Sequence, residues 1–346
     1  AVERACIEAG IAEEVRHVDT LEYTNKLFRK LYGQAYLDLV NKAPEILGWL
    51  YDSLDRPWKF ERRRLALDKL NTRPFIKILE EYQPDIVICT HFLPAEIISW
   101  LKAKHRMNTP QAIVITDFDV HAMWLCRHYE QYFVAMEETG VHLAELGVPA
   151  DKITVTGIPI DPIFAGQKDK RKMRAKYDLH PDRPTLLISA GGFGVGPIEH
   201  LMVSLMKLKK PAQVIAICGR SQELRQRVER VVSSGMSESK VDVRVVGFTT
   251  DMDEYMSAAD IVVGKPGGLT TSEALAKGLA FVIVNPIPGQ EERNADHLLE
   301  AGAAIRCNNL PTLAWKIDKL LGDPPRLRSM QAASRKLGRP NSARDI

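Results

Sequence analysis

The sequence predicts an α/β protein built as two Rossmann-like domains facing a cleft, each a parallel sheet with flanking helices. Three observations predict it. Short apolar runs alternate with amphipathic helical patterns along the chain, as strand–helix–strand units require. The 346 residues exceed the ~100–200 of a single domain. From Gly157 to Gly166 the chain reads G-I-P-I-D-P-I-F-A-G, a proline-bearing link ahead of the charged run Lys168–Lys176. That link divides an N-terminal domain, residues 1–160, from a C-terminal domain, residues 161–346, whose last residues are expected to return toward the first.

Val2, Ala5, Cys6 and Ala9 form a helical stripe already in progress at Ala1, so at least one further strand and loop are expected upstream. Residues 20–82 read as mainly helical, too long for a simple crossover. Strands are expected at Asp85–Thr90, Ala112–Thr116 and Tyr132–Ala135, then at Thr185–Ala190, Gln213–Gly219, Val243–Gly247, Ile261–Gly264 and Phe281–Asn285. Most precede a helix, which places ligands at their carboxyl ends.

Composition narrows the function. Apolar residues at 45% and charged residues at 26% let each half bury its own core. A net charge of +3 is too mild for a nucleic-acid binder. Five scattered cysteines without a C-x-x-C argue against a disulfide framework or a thiolate metal site, and for a reducing compartment. No apolar run reaches the ~18 residues of a membrane span, so membrane contact is expected to be peripheral, from the cytoplasm.

Three motifs carry chemistry. Ser189 to Glu199 reads S-A-G-G-F-G-V-G-P-I-E directly after a strand. Its glycines, Gly192 and Gly194 among them, let backbone N–H groups and a helix N-terminus approach an anion such as phosphate. The spacing is not G-x-G-x-x-G and no acid ends the next strand, which weakens adenine dinucleotide binding, although Arg220 keeps a 2′-phosphate cofactor in view. Gly264 to Leu275, G-K-P-G-G-L-T-T-S-E-A-L, repeats the arrangement: Gly267 and Gly268 open the backbone, and Thr270 and Thr271 offer hydroxyls. The spacing Thr270-x-x-Glu273 also fits a capping box, which needs no ligand. Asn285 to Asn294, N-P-I-P-G-Q-E-E-R-N, sets Gln290, Glu291 and Asn294 where they can meet several sugar hydroxyls or simply cap a helix.

These stretches, in this order, resemble the donor domain of the family-28 glycosyltransferases of GT-B fold, nearest to the diacylglycerol sugar transferases. T-D-F-D-V-H-A-M-W from Thr116 to Trp124, the Gly157 link and V-G-F-T from Val246 to Thr249 add to a likeness spanning roughly residues 80–340. The resemblance implies that the backbone around Phe248 holds uracil and that Glu273 bonds the ribose. It further implies that Gly192, Gly194, Thr270 and Thr271 cradle the diphosphate and that Gln290 and Glu291 meet the donor sugar. It places a glycine-rich loop, with a histidine acting in acceptor activation, before Ala1. No metal or other cofactor is expected, the UDP-sugar being a substrate.

The acceptor half offers two candidate bases at strand ends, Asp117 and His91. The alternative readings are Asp117 as the cap of a turn and His121 as a satisfied core histidine near Trp124. The stretch from Pro44 to Phe75 mixes Trp49 and Trp58 with Arg62, Arg63 and Arg64, a pattern suited to the headgroup layer of an anionic membrane, or to a helix packing its aromatics inward. The expected activity is inverting transfer of a galactose or glucose from a UDP-sugar to diacylglycerol. The alternatives are a UDP-GlcNAc transferase with a polyprenyl-linked acceptor, an NADP-dependent oxidoreductase and a non-catalytic nucleotide-sugar binder.

Overall fold

The strands Gln111–Val114, Thr185–Ser189, Ala212–Ile217, Ile261–Gly264 and Ala280–Val284, all inside their sheets, are buried over most or all of their length, and the edge strands are only partly buried. The fold is described from a computed structural model covering 1–346 except residues 26–28, 30–38, 40–42, 60–64, 66–70, 190–197 and 236–238. The chain divides into two compact units. The first comprises Ala1–Asp161, Ile287–Asn294 and Asn341–Ile346, and the second Pro162–Pro286 and Ala295–Pro340.

The first unit holds four parallel strands in sequential order: β1 (Val87–Cys89), β2 (Gln111–Val114), β3 (Gln131–Val134) and β4 (Ile153–Val155). Their register runs Val87↔Gln111, Ala112↔Gln131 and Tyr132↔Ile153. Helices Phe92–Ala103 and Glu137–Glu145 supply crossovers, and Ile97, Ile98, Leu101, Ile113, Tyr132 and Leu143 fill the core. The helix Arg73–Tyr82 starts with proline in its first turn, buries Phe75, Ile76 and Leu79, and ends on Gln83 in the left-handed region at φ +48°.

The second unit is a six-stranded parallel sheet ordered β10-β9-β8-β5-β6-β7. The strands are β5 (Thr185–Ser189), β6 (Ala212–Ile217), β7 (Val241–Val246), β8 (Ile261–Gly264), β9 (Ala280–Val284) and β10 (Ala304–Cys307). β6 and β9 are buried along their whole length, as a sheet covered on both faces demands. β7, at one edge, reads V-D-V-R-V-V and turns polar side chains outward. The chain winds outward from β5 through β6 to β7, then returns to lay β8 against the other side of β5. The order therefore reverses between β5 and β8, paired at Ile188↔Val263.

The expected strands form, with ends shifted by a few residues. Two more exist. β4 is three residues long, and β10 carries Arg306 within a four-residue edge strand, so neither shows the apolar run that reveals its neighbours.

Candidate active site

In the second unit, the carboxyl ends of β8, β5, β6 and β7 lie along one edge because all four strands are parallel. In open α/β sheets ligands bind at this edge, where strand order reverses. The turn after β8 sits at that place. Its helix runs Gly268–Ala276, with Gly267 as the N-cap in extended backbone and no side chain capping it. This corrects the capping-box expectation: Thr270 and Glu273 have the right spacing, but the helix begins two residues before Thr270. The N-cap residue thus offers no side chain to the first N–H groups of this helix, whose positive dipole end stands at the turn. Thr270 is half-exposed, whereas Thr271 is fully buried and its hydroxyl has no hydrogen-bond partner among the described residues. The turn after β5, with Gly192 and Gly194, lies outside the described residues.

Two strands along, the structure brings Arg220 and Phe248 together. The Arg220 guanidinium lies 4.4 Å above the Phe248 ring, which is 57% exposed. Gly219 supplies the positive φ of +62° for the turn after β6. An exposed aromatic face under a cation is a platform for a flat, polar ring.

In the first unit, Asp117 follows β2 and is buried, only 7% exposed. Gln290 Nε2 donates to both of its oxygens, at 2.8 and 2.9 Å. Burial raises the Asp117 pKa from 3.8 to about 6, with hydrogen bonds from Gln290 and Asn294 pulling it down and the Asp119 charge pushing it up. Asn294 Oδ1 accepts from the Phe118 N–H at 2.9 Å. Arg293 reaches Asp119 at 3.3 Å, Asp55 at 2.7 Å and Asp52 at 3.3 Å, and lies over the Tyr51 ring. Glu291 Oε2 accepts from the Ile287 N–H at 2.7 Å, fastening its own loop. Gln290, expected at the sugar, and Asp117, expected as a base, therefore touch each other. Sequence reading missed Arg293; its only signal was a position three residues after Gln290, on the same helix face.

His91 is the N-cap of the helix Phe92–Ala103, its Nδ1 accepting from the Leu93 N–H at 3.2 Å. In the neutral ring that places the proton on Nε2, so His91 presents a donor rather than a lone pair. His121 is satisfied: Nδ1 accepts from the Met123 N–H and Nε2 meets the Tyr51 carbonyl at 2.9 Å, with the Tyr51 ring centroid 4.2 Å away.

The helix Pro44–Leu54 has two different faces. Gly48 abuts Pro288 so closely that an added Cβ would fall 2.6 Å from that residue's Cβ, and an added Cβ on Gly289, at φ +84°, would fall 2.7 Å from the Tyr51 ring. Ile46, Trp49 and Leu50, at i, i+3 and i+4, are exposed. Trp58 is partly covered by Arg127, whose guanidinium lies 4.2 Å above its ring. Arg62, Arg63 and Arg64 lie outside the described residues. No helix among the described residues is long and apolar enough to cross a membrane.

A family model described as monogalactosyldiacylglycerol (MGDG) synthase matches residues 1–160, and one described as the glycosyltransferase family 28 C-terminal domain matches residues 185–346. A processive diacylglycerol β-glucosyltransferase of Staphylococcus epidermidis is 36% identical over 278 residues, covering 80% of this chain and 64% of the relative. An enzyme of the same description from Bacillus licheniformis is 30% identical over 324 residues, 93% of this chain and 82% of the relative. The chain belongs to glycosyltransferase family 28. The chain thus spans about two thirds of the length of the staphylococcal relative. Acinetobacter baumannii MurG has the same fold, with a TM-score of 0.59 at 20% identity over 79% of this chain and 74% of that one. The family-28 fold of two parallel sheets with flanking helices is therefore the architecture expected from the sequence. The turn after β8 falls within the region matched to the family 28 C-terminal domain, and Asp117 within the region matched to MGDG synthase.

Proposed function

We propose that this protein is an inverting glycosyltransferase that moves a glucose or galactose from a UDP-sugar to the free hydroxyl of diacylglycerol, working from the cytoplasmic surface of a membrane. The observation that carries the reading is the uncapped helix start at Gly268, set where the strand order reverses, with Arg220 and Phe248 on the same sheet edge. A diphosphate fits the N–H groups and positive dipole end of such a helix, and uracil fits the exposed Phe248 region. Glu273, in the same helix, takes the ribose hydroxyls.

The reaction joins the acceptor oxygen to the anomeric carbon from the face opposite UDP. The bond from that carbon to the phosphate oxygen breaks, and UDP leaves with the electron pair. The acceptor proton passes to Asp117. A carboxylate whose pKa is about 6 is mostly ionised at pH 7 yet more basic than an ordinary aspartate, as a general base should be. His91 serves less well, because its Nδ1 lone pair is engaged by Leu93. The helix start after β8 stabilises the charge that develops on the leaving diphosphate.

The names of the relatives support diacylglycerol as acceptor. The exposed stripe of Ile46, Trp49 and Leu50, followed in sequence by Arg62, Arg63 and Arg64, supports docking on an anionic bilayer. The test is transfer from UDP-glucose and UDP-galactose to diacylglycerol in anionic liposomes, using the full-length protein. Formation of a glycosyl-diacylglycerol of inverted anomeric configuration is the expected result. Transfer only to a polyprenyl-linked acceptor, or no transfer while UDP still binds, overturns the acceptor assignment.

A further inference from the structure

The first turn of the helix Gln290–Glu300 grips three consecutive residues of the loop after β2. Gln290, Arg293 and Asn294 stand at i, i+3 and i+4, on one helix face. They meet Asp117, Asp119 and the N–H of Phe118 respectively. Two of these grips come from neutral amides. The third is a guanidinium that also holds Asp55 and Asp52. Arg293 takes no direct part in the transfer reaction. We propose that Arg293 is a positioning residue for Asp117, pinning the loop 117–119 through Asp119 and cancelling the negative charge beside the reacting carboxylate. This rests on Asp117 being the base.

The groups that bear on Asp117 itself are the amides of Gln290 and Asn294, the Asp119 carboxylate and the Tyr51 phenol, and one step behind them Arg293 pairs with Asp119 and Asp55 and lies over Tyr51. His142 Nδ1 meets Asp119 from its other side at 3.2 Å, and His121 backs Tyr51. Burial keeps the Tyr51 phenol protonated well beyond neutral pH. Arg293 is therefore the one permanent cation of this group among the described residues. Without it, Asp119, Asp55 and Asp52 lose their shared counter-charge, and a like charge near a buried carboxylate favours its protonated form. Asp117 would then be neutral over more of the working range and unable to take a proton.

The experiment reads the Asp117 carboxyl directly, by carbon NMR of aspartate-labelled protein with Asp117→Asn identifying the signal, alongside the pH profile of kcat/KM. Arg293→Met should raise the Asp117 midpoint by ~0.5–1 pH unit and carry the acid limb of the profile with it. Arg293→Lys should keep both near the wild-type position. Asp119→Asn alone should lower the midpoint, and Arg293→Met combined with Asp119→Asn should bring it back toward wild type. A folded Arg293→Met protein with an unmoved midpoint overturns the proposal, as does an Asp119→Asn protein whose midpoint rises. A midpoint that moves while the acid limb stays fixed overturns Asp117 as the base and leaves the electrostatic hold of Arg293 standing.

Discussion

Replacing Asp117 with asparagine separates the cost of burying this carboxylate from its use. The carboxyl is buried and its pKa is raised from 3.8 to about 6, chiefly by desolvation. A group whose folded pKa lies above its unfolded value binds its proton more tightly in the folded protein. Its contribution to stability is greatest below pH ~4 and is lost as pH rises from about 4 to about 6. The rise from 3.8 to about 6 corresponds to roughly 3 kcal/mol of stability forgone at neutral pH. Asparagine has the same shape and no charge, so Asp117→Asn should escape that loss. One hydrogen bond is weakened in exchange, because Gln290 Nε2 now donates to both aspartate oxygens and asparagine offers only one. That subtracts about 1 kcal/mol. Urea unfolding of both proteins from pH 4 to pH 8 should therefore show the variant gaining on wild type by about 3 kcal/mol across the range, ending about 2 kcal/mol more stable. Transfer by the variant should fall ~10²–10⁴-fold at the same time. A difference in stability that does not vary with pH would mean that Asp117 ionises as an ordinary surface aspartate, and the reasoning fails.

Other changes test other parts of the molecule. Glu273→Ala should weaken UDP by roughly 10–150-fold in calorimetry; unchanged affinity would remove it from the ribose. Gly289→Ala places a Cβ 2.7 Å from the Tyr51 ring at φ +84°, and should destabilise the protein by ~1–3 kcal/mol in thermal or urea unfolding; a neutral result would mean that the loop relaxes freely. Trp49→Ser, and separately the serine triple variant of Arg62, Arg63 and Arg64, should each reduce sedimentation with anionic vesicles, the triple by up to ~1 kcal/mol per charge and more so at low salt. Equal binding to neutral vesicles would count against an electrostatic contribution.

Much of the architecture was legible because strands of a parallel sheet show as short, mainly apolar runs between turn residues, and eight such runs stand out, those of the edge strands β1 and β7 among them. β4 and β10 escaped because an edge strand needs burial on fewer sides and tolerates Thr154 or Arg306. The turn after β8 was legible as a glycine-opened helix start, while the turn after β5 lies outside the described residues. The exact helix start was not: Thr270 and Glu273 match the capping spacing, but nothing local says that Gly267 ends the loop first. The contacts made by Gln290, Arg293 and Asn294 lay beyond sequence reading for a different reason. Helical periodicity puts the three on one face, but their partners at 117–119 lie more than 170 residues away, and no local rule pairs such distant segments.

That the segment Ile287–Asn294 groups with the first unit, while the chain on either side of it groups with the second, bears on how such proteins can be recombined. A chimera that takes the C-terminal half from a relative, cut at the proline-bearing link near Pro162, imports the foreign 287–294 turn along with it. The graft then asks one parent's glutamine, arginine and asparagine to match the other parent's D-F-D loop. C-terminal halves can be exchanged between relatives only if those two short stretches travel together or are compatible from the start, and they should therefore change in step as the lineage diverges.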